Sequence, residues 1–238
     1  MSAIALLERQ VLSPILEFIY PPICFACGAD LRVGEHLVCD GCWQRVEMVY
    51  SGDETYQQFT SKLSADGFVY RVISPFYFEK DGKLQSIIHA LKYEGYTSLG
   101  TKAGRLVGQL IRADDELSKS DFLVPVPLHP LKQRERGYNQ SEFICRGIEE
   151  VTRISSRPDL LHRRKYTVSQ TQLSLEERKE NVGDAFDIPK KKAGEISGKS
   201  FILVDDVITT GSTIIACARA LRNAGAKQVY GAAVALAK

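Results

Sequence analysis

The stretch from Phe201 to Leu236 constrains the fold more than any other part of the sequence. It reads as an apolar run, an acidic and hydroxyl-rich loop, an amphipathic helix, a glycine, and a second apolar run. Phe201 to Val204 is short, bulky and uncharged, which suits a strand covered on both faces. Ile214 to Asn223 has helical spacing, and Gly225 just past it supplies a C-terminal stop. Val229 to Leu236 then closes as another strand. A unit of this kind joins parallel neighbours in one sheet.

Upstream segments repeat the alternation. Leu84, Ile87, Ile88 and Leu91 share one helical face, and Leu99 to Ile111 reads as a second helix. Phe122 to Val126 is a short buried strand ending in prolines, and Tyr138 to Val151 is helical. Phe68, Tyr70 and Val72, followed by Phe76 and Phe78, suggest two paired strands turning at Ser74-Pro75. The predicted fold class is therefore α/β, a mostly parallel sheet with helices on both faces. There is no internal repeat, and Lys190-Lys191-Lys192 reads as a solvated loop.

Composition changes near residue 50. Residues 23 to 46 hold four of the six cysteines and the only tryptophan, whereas 47 to 67 are polar and turn-rich, with Ser51-Gly52-Asp53 as a loop. This predicts an N-terminal helix and metal lobe over 1–60 and the α/β domain over 68–238. Cys24-x-x-Cys27 and Cys39-x-x-Cys42 stand eleven residues apart, each pair offering two thiolates from one turn, with Gly28 and Gly41 to supply backbone freedom. Four thiolates in a closed site suit structural Zn2+. Two disulfides, free thiols or an iron–sulfur cluster are the alternatives on these residues alone. Trp43 and Phe25 either pack against the lobe or stack on a partner.

Leu6, Leu7, Leu12, Ile15, Leu16 and Ile19 predict an amphipathic helix ending before Pro21-Pro22, and Glu8 and Arg9 interrupt what would otherwise resemble a signal peptide. No run reaches the ~18 apolar residues of a membrane span, so membrane insertion is not expected and the cytoplasm is the default compartment. The formal net charge of +2 lacks the basic excess of a purely electrostatic nucleic-acid binder.

Asp205-Asp206 is expected at the carboxyl end of the Phe201–Val204 strand, where ligands of open α/β sheets bind. Thr209, Thr210, Gly211, Ser212 and Thr213 then open a helix, and N–H groups there with nearby hydroxyls make a phosphate cradle. Carboxylates beside that cradle would repel the phosphate unless they faced ribose hydroxyls or a shared Mg2+. Phosphate at one end and a diol at the other describe a ribose 5-phosphate.

The run from Val204 to Thr213 resembles the signature loop of the type I phosphoribosyltransferases. The resemblance implies that Asp205 and Asp206 are the catalytic pair on the ribose hydroxyls of phosphoribosyl pyrophosphate, with Thr209 to Thr213 around its 5′-phosphate. Asp121 to Pro127, followed by Arg134, Arg136, Gly137, Tyr138, Asn139 and Gln140, is similar to the strand and pyrophosphate loop of one subgroup. Arg163, Arg164 and Lys165, through Thr171, Gln172 and Ser174 to Arg178, are similar to its active-site-covering loop. Arg134, Arg136, Arg163, Arg164 and Lys165 would then bind the pyrophosphate.

With the four-cysteine ribbon in front, nearly the whole chain resembles the ComF family, which is linked to DNA uptake in natural competence. That implies phosphoribosyl pyrophosphate as ligand, with Mg2+, and phosphoribosyl transfer to an acceptor the sequence does not identify. The glutamine-hydrolysing domain of true amidophosphoribosyltransferases is not part of the pattern, and Ser2 stands where a cysteine nucleophile would. The alternative is a non-catalytic competence protein that holds single-stranded DNA or a DNA-processing partner and keeps the site as a ligand sensor. Lys92, in Leu91 to Gly95, reads equally as a helix C-terminus near the negative dipole end or as part of the site. His129 reads as structural or phosphate-facing, and Cys145 and Cys217 as core.

Overall fold

A computed structural model describes residues 22–163 and 185–238. The expected N-terminal helix lies outside those residues, as do Arg164, Lys165, Thr171, Gln172, Ser174 and Arg178. The described helices are α1 (Asp40–Gln44), α2 (Glu54–Ser64), α3 (Lys83–Tyr93), α4 (Thr97–Ala113), α5 (Pro130–Arg136), α6 (Gln140–Thr152) and α7 (Ser212–Asn223). The strands are β1 (Val72–Ile73), β2 (Phe76–Phe78), β3 (Phe122–Pro125), β4 (Ser155–Ser156), β5 (His162–Arg163), β6 (Phe186–Asp187), β7 (Ser200–Ile208) and β8 (Gln228–Ala237).

Six strands form one parallel sheet in the order β1-β8-β7-β3-β4, with β2 also paired to β8, while β5 and β6 make a small antiparallel ribbon. The expected pairing of the Phe68–Val72 and Phe76–Phe78 segments with each other is not what forms. Both run parallel along the same edge of β8, Val72 opposite Gly231 and Phe76 opposite Ala235. Ser74-Pro75 only interrupts that edge: proline cannot donate to a ladder, and β8 is long enough to receive both pieces.

Burial follows the two-residue period of the strands. Ile202, Val204, Tyr230, Ala232 and Leu123 face one core, and Phe201, Leu203, Val229, Ala233 and Val124 face the other. Helices α3, α4 and α6 cover the first face; α7 and Leu63 of α2 cover the second. Where α4 crosses α6 the backbones touch. A Cβ on Gly104 would stand 2.1 Å from the Ile144 carbonyl oxygen, and one on Gly147 2.1 Å from that of Thr101.

The segment expected to be polar and turn-rich contains α2. Asp53 caps it by accepting from the Thr55 N–H at 3.2 Å, as an N-cap aspartate should. The four-cysteine lobe is continuous with the first core, where Cys24, Val38, Cys42, Trp43 and Val46 pack with Ile73, Phe76 and Leu84. Trp43 is 7% exposed and tilted against Phe76, which makes it a core residue, while Phe25 rests on Tyr96 with ring centroids 4.4 Å apart.

Candidate active site and metal centre

From β3 the chain passes through α6 to β4 on one side, then returns as β7 on the other side of β3. That reversal places the carboxyl ends of β3 and β7 at a switch point, where sheets of this kind bind ligands. Pairing between the two strands stops at Pro125 and Val204, but β7 continues along β8 as far as Ile208. Asp205 and Asp206 are thus inside the strand rather than beyond it. They occupy the stretch where β3 has turned away, so the crevice opens beside them.

Each carboxylate is tied back to the backbone. Asp205 Oδ1 accepts from the Asp206 N–H at 2.8 Å, and Asp206 Oδ1 accepts from the Val207 N–H at 2.7 Å. The Ser141 hydroxyl donates to Asp205 Oδ1 at 3.3 Å. Asp206 is only 4% exposed, and its Oδ2 lies 2.8 Å from Lys92 Nζ. That oxygen has no aligned hydrogen bond among the described residues, so the contact is one of charge. Asp205 keeps some exposure to the crevice, yet burial pushes its carboxyl up to about 7, the Asp206 carboxylate adds to the rise, and Lys92 opposes it.

Lys92 is the residue that sequence reasoning left balanced, and here it balances charge beside the paired acids. It arrives from the last turn of α3, and the Arg136–Gln140 segment fixes that turn. Arg136 stacks over Tyr93 at 4.9 Å and donates to Gln140 Oε1 at 2.8 Å. The Tyr138 hydroxyl donates to the Leu91 carbonyl. Asn139 donates through its amide to the Val126 carbonyl at 3.0 Å, and its Oδ1 caps α6 by accepting from the Ser141 N–H at 3.1 Å. Gly137 ends α5 at φ +76°. The motif therefore couples the end of β3, the end of α3 and the start of α6.

After β7, Thr209, Thr210, Ser212 and Thr213 surround Gly211, which sits at φ +78° and precedes α7 as its N-cap. Thr210 Oγ1 and Ser212 Oγ share a hydrogen bond of 2.9 Å. The turn lines a cavity of about 40 Å³ together with Asp205. The basic residues fare unequally. Arg134 is exposed on the last turn of α5, a helix rather than a loop. Arg163 lies on β5 over Phe186 at 5.3 Å, and no described contact joins it to the carboxylates. His129 caps α5, its Nδ1 accepting from the Leu131 N–H at 3.3 Å.

The cysteines converge in the N-terminal lobe. All four sulfurs lie within 4.8 Å of one another, with Cys24 Sγ 3.8 Å from Cys42 Sγ and Cys27 Sγ 3.9 Å from Cys39 Sγ. Thiolates ~2.3 Å from zinc at tetrahedral corners stand ~3.8 Å apart, so the donors fit zinc, and the cysteines are not bridged. The Cys39 N–H donates to Cys24 Sγ at 3.3 Å, which favours a thiolate. Gly28 takes φ +70° in the first knuckle; Gly41 lies in α1 and needs no such freedom, because the second knuckle is closed by a helical turn.

Comparison with known proteins agrees with both parts. Residues 153–238 match the phosphoribosyl transferase domain, and 15–53 match the double zinc ribbon domain, whose stretch here carries four cysteines and one cluster of them. The chain is 28% identical over 226 residues to Competence protein F of Haemophilus influenzae, an alignment covering 88% of this chain and 96% of that one. It is 30% identical over 149 residues to DNA utilization protein YhgH of Escherichia coli, covering 61% of this chain and 64%, just under two thirds, of the relative. Among solved structures, glutamine phosphoribosylpyrophosphate amidotransferase from B. subtilis aligns at 20% identity with a TM-score of 0.40, over 74% of this chain and 30% of its own. A parallel α/β sheet with a phosphoribosyl transferase match, preceded by a double zinc ribbon match with a four-cysteine cluster, agrees with the chain's resemblance to the ComF family.

Proposed function

We propose that the chain binds phosphoribosyl pyrophosphate with Mg2+ at the β3–β7 crevice and transfers its phosphoribosyl group to a nucleophilic acceptor. One observation carries the reading: Asp205, whose neighbour Asp206 is paired with Lys92, shares a small cavity with the Thr209–Thr213 turn at a helix N-terminus. Thr209 to Thr213 would take the 5′-phosphate, and Asp205 with Asp206 the ribose hydroxyls. Their oxygens are the hard donors that Mg2+ accepts alongside ligand phosphates, and the ion would supply charge neutralisation of the leaving group. Arg134 and Arg136, on the helix that follows β3, would take the pyrophosphate; Arg163, Arg164 and Lys165 complete the proposed set.

In the transfer, the bond from the anomeric carbon to pyrophosphate oxygen breaks with its electron pair leaving on pyrophosphate. The acceptor forms the new bond and gives up its proton. The chain's task is to position the donor and hold charge, since the transition state is loose and cation-like. The test is pyrophosphate release from donor, Mg2+ and a panel of amines and nucleobases. Loss of donor binding in Asp205→Asn/Asp206→Asn is expected; absence of donor binding by the unaltered protein would overturn the reading.

A second reading rests on the names of the relatives, Competence protein F and DNA utilization protein YhgH. In it the chain serves DNA uptake or utilisation by holding single-stranded DNA or a DNA-processing protein, with the phosphoribosyl site as a sensor. Single-strand affinity falling steeply with salt is its expected signature, and absent or salt-independent binding would remove it.

A further inference from the structure

We infer that Leu63, on the linker helix α2, is a positioning residue for the Thr209–Thr213 turn. This rests on the proposal that the turn holds a phosphate. Thr209, Thr210 and Ser212 are exposed while Gly211 between them is buried, and Leu63 is what buries it. A Cβ built on Gly211 would meet Leu63 Cδ2 at 1.8 Å and Cγ at 3.1 Å, so the branched end of the leucine is seated on the glycine's α-carbon. Leu63 itself is 2% exposed, in the core formed with Val69, Val72, Tyr77, Ile208 and Ile214. The small cavity of the turn is lined without Leu63, which therefore supports the turn from its other side.

The support is anchored independently of the turn. The Tyr56 hydroxyl of α2 donates to the Val72 carbonyl at 2.7 Å, and the Tyr77 hydroxyl donates to the cap residue Asp53 at 2.7 Å. These fix α2 to the β1–β2 edge of the sheet. Gly211 is thus required twice, for its left-handed backbone and for the room Leu63 occupies. A turn held in its anion-ready shape before the ligand arrives loses less freedom on binding. Leu63 supplies that from a segment outside both matched domains.

The experiment compares the full-length protein with its Leu63→Ala and Leu63→Met variants, and with Leu63→Val should the alanine variant not fold. Folding is checked by zinc content and Trp43 emission. Hydrogen exchange over residues 205–214 and calorimetric titration with phosphoribosyl pyrophosphate plus Mg2+ are then measured. Leu63→Ala should exchange faster across 209–213 and bind at least about tenfold more weakly, a loss of ~1.4 kcal/mol, comparable to ordering one residue of backbone. Leu63→Met, which conserves volume, should restore both. A folded Leu63→Ala with unaltered exchange in the turn would overturn the inference, as would unaltered affinity where the wild type binds. Wild-type protein that binds no donor would instead defeat the phosphate reading, and the exchange measurement would still decide whether Leu63 holds the turn.

Discussion

Replacing Lys92 with methionine tests the site's electrostatics directly. The substitution keeps the apolar stem and removes the charge 2.8 Å from a carboxylate that is 4% exposed. Removing one partner of a fully buried pair costs ~3–5 kcal/mol. Lys92 is 23% exposed beside an open crevice, and screening brings the expected loss to ~2 kcal/mol, or ~4–8 °C in a chain of this size. The pH dependence is the sharper signature. Burial and Asp206 already raise Asp205 to about 7, and Lys92 restrains that rise. Between the unfolded value near 4 and pH 7 the native state holds the extra proton, so wild-type stability falls as pH climbs through that window. Without Lys92 the Asp205 value moves higher and the fall continues above pH 7. Thermal and urea unfolding of both proteins from pH 6 to 8.5 should therefore show a deficit that grows with pH. A deficit independent of pH, or none at pH 8.5, would refute the reasoning.

Gly104→Ala should separate α4 from α6, because its new methyl would stand 2.1 Å from the Ile144 carbonyl oxygen; a loss of ~3 kcal/mol, near the top of the overpacking range, should appear as a clearly lower melting temperature. Chelation of zinc should destabilise the whole molecule and shift the emission of its single tryptophan to the red, since Trp43 packs beside Cys24 and Cys42; unchanged emission after verified metal loss would count against a shared core. Arg157 holds the Asp159 carboxyl well below the usual carboxylate range, with Lys192 assisting. Stability from this network is present above pH ~4 and lost as pH falls through the depressed value. Arg157→Met should thus cost ~1 kcal/mol at pH 7 and progressively less under acid, as equilibrium unfolding would show.

Much of the fold was legible because its signals are local. The Phe201–Leu236 unit, the helix at Leu84–Leu91 and the cysteine spacing each announce themselves through periodicity or residue chemistry within one window. The misreadings came where distant partners decide. Phe76–Phe78 looks like the return strand of a hairpin, yet β8, more than 150 residues later, accepts it in parallel. Helix α2 is mostly polar outside Leu63, so its burial was invisible until its partner, the turn at Gly211, was known. The paired aspartates could be found by residue type, whereas the charge that answers them was legible only as one of two equal readings of Lys92. Lys92 comes from a helix end more than 110 residues upstream, and the buried face of that helix together with the Tyr138 and Arg136 contacts brings it there.

The N-terminal segment is better understood as a wrap around the sheet edge than as an appendage. The ribbon packs on the face that carries α3 and α4, while Leu63 packs on the opposite face with α7. Between them the chain runs beside β2: the Tyr77 N–H donates to the Glu47 carbonyl at 2.9 Å, the Val49 N–H donates to the Pro75 carbonyl at 2.9 Å, and Met48 bridges Phe76. Lys238, just after β8, closes the arrangement on Glu47 at 2.5 Å. An edge strand left bare would offer its unpaired groups to other chains, and this crossing covers it. Removing residues before Val69 would then uncover the edge, Ile73, Phe76 and Leu84 together, and withdraw Leu63 from Gly211. The part matched as a phosphoribosyl transferase domain, 153–238, supplies β7, α7 and β8, but the lysine that balances its acids and the leucine that braces its turn both come from outside it. The site is completed by segments outside that match, α3 and the wrapping helix α2.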